Sequence, residues 1–393
     1  MSGANLTLNS GSSSLKFALF DNDASEATPE IIGKISGIGT TPVFSVKDAN
    51  GNAVDGGAFG QLDTATGHAQ AIALLLPWLA KHLGDASLAA VGHRVVHGGQ
   101  FYCGPVRITD AVLDKLDTLI PLAPLHQPHN LAAIRAIADW QPSLPQIACF
   151  DTSFHRSQNR LAKQFALPRN LSEEGIIRYG FHGLSYDYIA SVLPQHLGEL
   201  ADGRVIVAHL GNGASMCAMQ NRKSVATSMG FTALDGLMMG TRCGALDPGV
   251  VLYLLQAKGM KISEVEDLLY RQSGLMGVSG ISNDMQALQA SDDPHASEAI
   301  DLYCFKAASI LAGLVPSIGG IDALVFTAGI GENSALVRAD ICKRLQWLGV
   351  VLDPDANAGN AGVISVAQSP VKVLVVPTNE EAVVARGCRA LLS

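Results

Sequence analysis

The stretch Leu6–Asp21, LTLNSGSSSLKFALFD, decides the fold. Two apolar runs flank a turn of Asn, Ser and Gly residues, and this pattern predicts a β-hairpin. The stretch Val207–Ser224, VAHLGNGASMCAMQNRKS, repeats the pattern near the middle of the chain. Two such hairpins at the start of two halves of similar size predict a duplicated architecture, although a Gly/Ser turn between strands is common in any hairpin.

Strands and helices alternate through the rest of the chain. Apolar runs such as Arg204–Leu210 predict strands, and the run Leu324–Thr327 precedes a predicted helix over Ser334–Leu348. This alternation is typical of an α/β protein. We expect a first domain over residues 1–150 and a second over 151–379, with a C-terminal helix at about 380–393 that packs back on the first domain.

Composition narrows the class of protein. A chain of 393 residues suggests two or three domains, and a net charge of -8 argues against a nucleic-acid partner. Seven scattered cysteines without a CxxC pair indicate free thiols and predict a cytoplasmic protein. The N-terminal residues do not resemble a signal peptide, and the most apolar stretch, Ala71–Ala80, is too short to cross a membrane, so we interpret it as part of a buried helix.

Phosphate would have to be held without the usual glycine-rich fingerprints, because the chain has neither GxxxxGK[ST] nor a strand-linked GxGxxG. The turn Asn9–Ser14 offers backbone N–H groups and hydroxyls, and Lys16 adds a cation on the next strand. The turn Gly211–Gly213 has a similar composition. Each is a candidate phosphate clamp, and for each an ordinary hairpin turn is the alternative.

Two further turns predict ligand contacts near strand ends. Thr327–Asn333 follows a strand, where open α/β sheets bind nucleotides; Gly329 and Gly331 would let a base approach the backbone, and Asn333 could cap the next helix. In the segment Pro377–Glu381 we predict a capping box of Thr378 with Glu381, which leaves Glu380 available for a metal ion.

Basic side chains recur in glycine-punctuated motifs. Arg94, His126, His182 and Arg242 lie in the segments GHRVVHGG, LAPLH, YGFHG and GTRCG. A single such residue is more often a hydrogen-bonded structural group, but four of them match the need of a transferring phosphoryl group for several donors. Asp151 directly follows the strand Ile147–Phe150 and is either a turn residue or a catalytic acid.

Together these motifs make the chain similar to the acetate kinase family from end to end. The matching segments are Asn9–Phe17 (NSGSSSLKF), Gly92–Gly99 (GHRVVHGG), Phe150–His155 (FDTSFH), Arg178–Gly183 (RYGFHG), His209–Ser215 (HLGNGAS), Thr227–Gly244 (TSMGFTALDGLMMGTRCG), Phe326–Ser334 (FTAGIGENS) and Pro377–Glu381 (PTNEE). The resemblance implies two duplicated actin-like (ribonuclease H-like) domains with a nucleotide cleft between them. It also implies a homodimer that uses Mg²⁺, or Mn²⁺, with ATP/ADP as co-substrate.

The resemblance assigns roles to individual residues. It implies that the metal ligands are Asn9 and Glu380, and that the phosphate contacts are Ser12, Ser14 and Lys16. The implied catalytic residues are Arg94, His126, Asp151, His182 and Arg242. The implied ATP-binding residues are His209, Leu210, Gly211, Asn212, Gly213, Asp284, Met285, Gln286, Gly329, Ile330, Gly331, Glu332 and Asn333, and the implied acyl pocket is Arg94, Val96, Leu125, Phe181 and Ala233.

Two departures from the family pattern bear on specificity. Gln286 stands where the family often has an Arg near the adenine, so a cation-π contact to the base would be missing. Ala233 stands where many members have Pro, which could leave room for an extra methylene. The resemblance therefore implies an acetate kinase, with a propionate or other short-chain acyl kinase as the near alternative and a chaperone-like ATPase as the distant one.

Overall fold

A computed structural model describes residues 3–11, 14–21, 28–56, 67–83 and 87–392. It divides into two compact units, one formed by Met1–Phe154 with Asn379–Ser393 and the other by His155–Thr378. Asp151 lies in the first unit, as does the C-terminal helix.

The first unit contains a seven-stranded sheet in the order β4-β3-β2-β1-β5-β7-β6. Its strands are β1 (Ala4–Ser10), β2 (Ser14–Asp21), β3 (Ile31–Ser36), β4 (Val43–Asp48), β5 (Leu88–Val95), β6 (Val106–Arg107) and β7 (Gln146–Phe150). Its helices are α1 (His68–Leu83), α2 (Asp110–Asp117), α3 (Gln127–Trp140) and the C-terminal α15 (Glu380–Leu392). The predicted hairpin is β1 with β2, which pair antiparallel, whereas β1, β5 and β7 run parallel.

The second unit contains a five-stranded sheet in the order β10-β9-β8-β11-β12. Its strands are β8 (Arg204–Leu210), β9 (Ala214–Gln220), β10 (Lys223–Thr227), β11 (Ala323–Thr327) and β12 (Lys372–Val375). Its helices are α4 (Arg160–Lys163), α5 (Arg169–Glu173), α6 (Gly183–Leu197), α7 (Pro248–Gln256), α8 (Ile262–Arg271), α9 (Gly274–Ser279), α10 (Met285–Gln289), α11 (Pro294–Leu314), α12 (Ala328–Asn333), α13 (Ala335–Arg344) and α14 (Pro354–Ala358).

The two sheets share one topology. In each, an antiparallel three-stranded meander (β3-β2-β1 or β10-β9-β8) continues into two parallel strands, β5 and β7 or β11 and β12. The duplicated α/β fold predicted from the two hairpins is therefore confirmed. Because the carboxyl ends of parallel strands lie at the same edge of a sheet, each unit gathers the loops after three strands at one edge.

Helical segments have clear packing roles. The stretch Ala71–Ala80 lies within α1, whose apolar face packs into the core of the first unit, as the sequence predicts. The helix α11 is long and apolar enough to cross a membrane by composition alone, but it buries residues from Ala296 to Leu314 along one face and packs on α9, α10 and α13. We interpret α11 as the core helix of the second unit.

The C-terminal helix α15 approaches β5 very closely because of a glycine. A Cβ atom on Gly92 would lie 2.4 Å from Cγ1 of Val384 and 2.6 Å from Sγ of Cys388. Gly387 on the helix makes a similar approach to the sheet, where a Cβ atom would lie 2.8 Å from Sγ of Cys149. These two glycines set the depth of α15 on the sheet, and with it the position of Glu380 at the start of the helix.

We predict that Gly92→Ala lowers the free energy of unfolding by about 1–3 kcal/mol, the usual cost of overpacking a core, because the new methyl group would clash with α15. Gly313→Ala in α11 is the matched control, since a Cβ atom there has no neighbour within 4 Å, and it should stabilise by about 0.4–1 kcal/mol. Urea denaturation followed by circular dichroism measures both changes. Equal stability of the Gly92→Ala variant and the parent protein would contradict the close packing of α15.

Candidate active site

Four polar side chains converge at the carboxyl edge of the first sheet. Asn9 lies near the end of β1, Arg94 near the end of β5, and Asp151 directly after β7. Glu380 begins α15, which packs on the same three strands. The parallel topology therefore brings together residues that are far apart in the sequence.

Arg94 is the centre of this cluster. Its Nε and Nη2 atoms donate to the two carboxylate oxygens of Asp151 at 2.9 and 2.6 Å, and its Nη1 donates to Oδ1 of Asn9 at 2.9 Å. The carboxylate of Glu380 lies 3.8 Å from Nε of Arg94. A guanidinium group has five N–H donors, and these hydrogen bonds use three, so two can point to a ligand.

Burial and the neighbouring carboxylates change the pKa of Arg94 in opposite directions. Burial by itself lowers the pKa of the guanidinium group, but the carboxylates of Asp151 and Glu380 outweigh it and hold the pKa above its ordinary value. Arg94 is therefore a permanent cation. Asp151 is only 1% exposed and binds Arg94 with both oxygens, so its geometry is that of a group that orients an arginine rather than of a general base.

The other predicted residues of the first unit that the structure describes lie on elements that pack beside β1 and β5. Lys16 lies directly opposite Asn9 in the β1–β2 pairing and is exposed. Ser14 begins β2, whereas Ser12 lies outside the described residues. His126 is half-buried immediately before α3, and its side chain does not cap that helix.

The predicted capping box of Thr378 with Glu381 is wrong. The helix begins at Glu380, and Oδ1 of Asn379 accepts a hydrogen bond from the backbone N–H of Ala382 at 2.9 Å, so Asn379 is the cap. The hydroxyl of Thr378 instead lies 2.9 Å from that of Ser185. Burial, and then the neighbouring charge of Glu380, raise the pKa of the Glu381 carboxyl.

In the second unit, two histidines stack at the ends of neighbouring elements. The rings of His182 and His209 lie 4.2 Å apart, at an angle of 15°. Nδ1 of His182 is hydrogen-bonded to the Ser215 hydroxyl at 2.8 Å, and Nδ1 of His209 to the Ser185 hydroxyl at 2.8 Å. These bonds fix both rings, and the backbone of His182 adopts the left-handed conformation just before α6.

Arg242 and His182 both lie next to the turn after β8. A Cβ atom on Gly213 would lie 3.4 Å from Nε2 of His182 and 3.5 Å from Nη2 of Arg242, so glycine leaves space beside these two donors. Nη1 of Arg242 donates to the carbonyl oxygen of Ala233 at 2.8 Å. Asn212 accepts a backbone hydrogen bond from Gly240 at 3.1 Å, which fixes the Arg242 loop to the same turn.

A cavity of about 690 Å³ lies next to this turn within the second unit. Its lining includes Gly211, Asn212, Asp284, Met285, Gln286, Gly329, Ile330 and Asn333, all of them predicted from the sequence. Asn283, Gln289 and Ser334 also line it, and the sequence analysis missed them. Asn283 precedes the predicted Asp284 segment, and Ser334 ends the FTAGIGENS motif, so both were adjacent to a detectable signal.

Five of the predicted ATP-binding residues do not line this cavity: His209, Leu210, Gly213, Gly331 and Glu332. Leu210 is fully buried in the core of the unit. Glu332 accepts hydrogen bonds from the backbone N–H groups of Ala328 at 2.7 Å and Thr378 at 3.1 Å, so it holds the strand-to-helix turn in shape.

The interpretation of Asn333 as a helix cap is also wrong. Its amide donates to the Gly329 carbonyl within α12, whereas the hydroxyl of Ser334 caps α13 by accepting from the N–H of Val337. A Cβ atom on Gly329 would have no neighbour within 4 Å. This glycine therefore leaves an open backbone face at the cavity, as expected for a surface that a base contacts.

The residues of the predicted acyl pocket are distributed over both units. Val96 and Leu125 belong to the first unit, and Phe181 and Ala233 to the second. Val96 and Phe181 are 3% and 1% exposed, whereas Leu125 and Ala233 are half-buried. Their contact with an acyl chain stays a prediction.

The chain matches one protein family along nearly its whole length. The sequence model of the Acetokinase family matches residues 4–386. The chain is 54% identical to the acetate kinase of Rhodopseudomonas palustris strain ATCC BAA-98 / CGA009, with 98% of each chain covered, and 50% identical to that of Methylocella silvestris, with 100% and 98% covered.

Solved structures agree with these relatives. A propionate kinase from Francisella tularensis superposes with a TM-score of 0.90 at 36% identity, with 98% of each chain covered. The acetate kinase of Porphyromonas gingivalis superposes with a TM-score of 0.86 at 34% identity, with 100% of each chain covered.

Proposed function

Because the chain belongs to the acetokinase family and catalyses phosphoryl transfer between ATP and acetate, we propose that the cluster around Arg94 binds the acid and the transferring phosphoryl group. One observation carries this assignment: a permanent, oriented cation lies at the carboxyl edge of a parallel sheet, where two of its five N–H donors can reach a ligand. Bidentate pairing with Asp151 fixes the plane of the guanidinium group, which suits it to a planar carboxylate.

The reaction needs positioning and charge neutralisation more than proton transfer. Acetate is already ionised at neutral pH, so its oxygen can attack the γ-phosphorus of ATP directly. The bond from phosphorus to the ADP oxygen breaks, and its electron pair stays on ADP. Negative charge on the transferred group would be stabilised by Arg94, by Arg242 and by ring N–H donors of His126 and His182.

We assign the nucleotide to the cavity of the second unit. Its volume of about 690 Å³ is within the range of ligand pockets. The turn Gly211–Gly213 would bring backbone N–H groups to the phosphates, and the open face at Gly329 would contact the base. Gln286 lines this cavity in place of an arginine, so the base would be held by stacking and polar contacts without a cation-π contribution.

The donor set of the first unit fits a magnesium ion. Mg²⁺ prefers oxygen ligands and is usually held by one or two carboxylates, water and substrate phosphates. Glu380 supplies a half-buried carboxylate at the same sheet edge. Asn9 supplies an amide oxygen that accepts one hydrogen bond from Arg94 and has a second lone pair for a metal ion or its water. Asp151 binds Arg94 with both oxygens. When bound, the ion would neutralise phosphate charge. Mn²⁺ has the same ligand preference and should substitute.

Acid specificity would depend on Val96, Leu125, Phe181 and Ala233. Ala233 lacks the proline ring that many family members have at this position, so the acyl pocket would be wider. One methylene group in an apolar pocket changes the discrimination between two acids by only about 1–3 kcal/mol. We therefore expect acetate as the main substrate and measurable turnover of propionate.

Assembly into a homodimer is supported by the helix α7. None of its residues is buried, although its sequence is PGVVLYLLQ; Leu252 and Tyr253 are 53% and 55% exposed, and Leu246 just before the helix is 40% exposed. A contiguous apolar surface of this kind usually marks an interface. None of the seven cysteines, all of which lie among the described residues, forms a disulfide bond, and the net charge is -8. We therefore propose a cytoplasmic homodimer with no nucleic-acid or membrane partner.

The function is tested by trapping acyl phosphate with hydroxylamine in the presence of ATP and Mg²⁺. We expect acetate to give the larger signal and propionate a smaller one. Arg94→Ala and Arg242→Ala should each lower the rate at least about a hundredfold, the usual cost of losing one preorganised donor. Arg135→Ala, which breaks an exposed ion pair with Asp117, is the control and should leave the rate unchanged.

Arg94→Ala also leaves Asp151 buried without its cation, so the thermal unfolding midpoint of each variant must be measured alongside the rate. Arg242 lies in the second unit, where its Nη1 donates to the carbonyl oxygen of Ala233, so its variant tests charge neutralisation at a second position and needs the same unfolding measurement. A folded Arg242→Ala variant with near-normal turnover would contradict the proposed charge neutralisation.

For the metal, we predict that Glu380→Gln raises the Mg²⁺ concentration needed for half-maximal activity about tenfold or more, because a neutral amide replaces the carboxylate ligand. Glu381→Gln is the neighbouring control and should leave this concentration nearly unchanged. Activity measured across a Mg²⁺ titration separates the two variants. A larger shift in the Glu381→Gln variant would instead assign the metal ligand to Glu381.

For the assembly, we predict that Leu252→Asp converts the dimer to a monomer, because a buried unpaired carboxylate at an apolar interface is costly. Leu161→Asp is the control, since Leu161 is 82% exposed and lies on α4, a different helix from α7. Light scattering coupled to size-exclusion chromatography gives the mass of each variant. A dimeric Leu252→Asp protein would exclude α7 from the interface.

A further inference from the structure

We propose that Asn130 is a positioning residue for the phosphoryl-transfer site, because its amide holds the end of β1 to the chain just after β5. This inference rests on the proposed function of Asn9, Arg94 and His126. No motif in the sequence singles out Asn130, and both of the side-chain hydrogen bonds described below go to backbone groups.

The geometry is that of a buried bridge. The Nδ2 atom of Asn130 donates to the carbonyl oxygen of Ser10 at 2.7 Å, and its Oδ1 accepts from the N–H of Val96 at 3.0 Å. Asn130 is 1% exposed, and Ser10 and Val96 are 2% and 3% exposed. Both bonds therefore lie in a region from which water is excluded, where losing either would leave a backbone group unsatisfied.

This bridge replaces backbone pairing at a point where the sheet ends. The parallel pairing of β1 with β5 runs only as far as Leu8 and His93. Beyond it, the chains that carry Asn9 and Arg94 have no further ladder bonds to each other. The side-chain amide of Asn130 has N–H donors and an acceptor oxygen in one plane, as a peptide group does, so it can join the two chains just past these residues.

Asn130 is also tied to a third element of the proposed site. Its backbone N–H donates to the carbonyl oxygen of His126 at 3.1 Å, in the first turn of α3. One residue thus connects the chain segments that carry Asn9, Arg94 and His126. A catalytic site loses about a hundredfold in rate when its groups shift by about 1 Å, so loosening this connection should affect catalysis more than binding of the nucleotide.

The same helix offers a matched control. Gln127 lies one turn earlier and is fully buried; its Oε1 accepts from the N–H of His97 at 3.2 Å, and its Nε2 donates to the carbonyls of His97 at 3.1 Å and Leu116 at 3.3 Å. It therefore makes hydrogen bonds of the same kind in the same core, but none to the turn after β1. Replacing Gln127 tests loss of buried polar contacts without loss of the bridge.

The experiment compares Asn130→Leu with Gln127→Leu by hydroxylamine trapping of acetyl phosphate. For Asn130→Leu we expect kcat to fall about 10- to 100-fold and the Mg²⁺ concentration for half-maximal activity to rise, with the KM for ATP within about threefold of the parent. For Gln127→Leu we expect a similar fall in thermal unfolding midpoint but a kcat within about threefold of the parent.

Asn130→Ala decides the question if the leucine variant does not fold, since it removes both hydrogen bonds without adding bulk or charge to the buried site. It should show the same fall in kcat and the same increase in the Mg²⁺ requirement. The inference is overturned if the Asn130 variants match Gln127→Leu in kcat and Mg²⁺ dependence, or if only the KM for ATP changes. A parent protein that forms no acetyl hydroxamate would instead overturn the proposed function itself.

Discussion

The ion pair of Arg94 with Asp151 is the interaction on which the candidate site depends. Taking a guanidinium and a carboxylate out of water costs several kcal/mol for each ion, and a pair compensates for this only when its geometry is good. Here the pairing is bidentate, Asn9 satisfies a further N–H, and Glu380 adds a second negative charge. Such a pair contributes little net stability, and its value lies in holding a cation in one orientation.

The fold explains how that orientation is maintained. Arg94, Asp151 and Asn9 come from three neighbouring parallel strands. Sheet pairing of β5 with β7 extends past Arg94, whereas the link between β1 and β5 continues beyond their ladder through the amide of Asn130. Glu380 reaches the same edge because Gly92 and Gly387 let α15 lie close to the sheet. The second unit repeats the strand order, and there the equivalent edge carries the Gly211–Gly213 turn and the cavity beside Gly329. The two equivalent sheet edges therefore carry candidate sites with different chemistry.

Much of this arrangement could be predicted from the sequence. The hairpins at Leu6–Asp21 and Val207–Ser224 indicated the duplicated fold, since apolar alternation around a glycine turn is a local signal. Predictions from local sequence patterns were wrong where a side chain makes its hydrogen bond with a residue distant in the sequence. Thr378 fits a capping box, but its hydroxyl bonds Ser185 and the cap passes to Asn379. Asn130 reads as an ordinary polar helix residue, and only the folded chain shows that it joins Ser10 to Val96.

The hydrogen bonds of the carboxylates also bear on whether the reaction forms a covalent phosphoryl intermediate on the protein. A phosphorylated aspartate or glutamate would require a carboxylate oxygen that can attack the γ-phosphorus of ATP. Both oxygens of Asp151 accept charge-assisted bonds from Arg94, which draw electron density away from them and hold them in place. Glu380 faces the same cation, and a metal ion bound there would weaken it further as a nucleophile. Acetate, by contrast, is already ionised at neutral pH, so its oxygen can attack without prior loss of a proton. The arrangement around Arg94 therefore favours direct transfer between the two substrates, with the carboxylates of the chain orienting the cations that stabilise the charge.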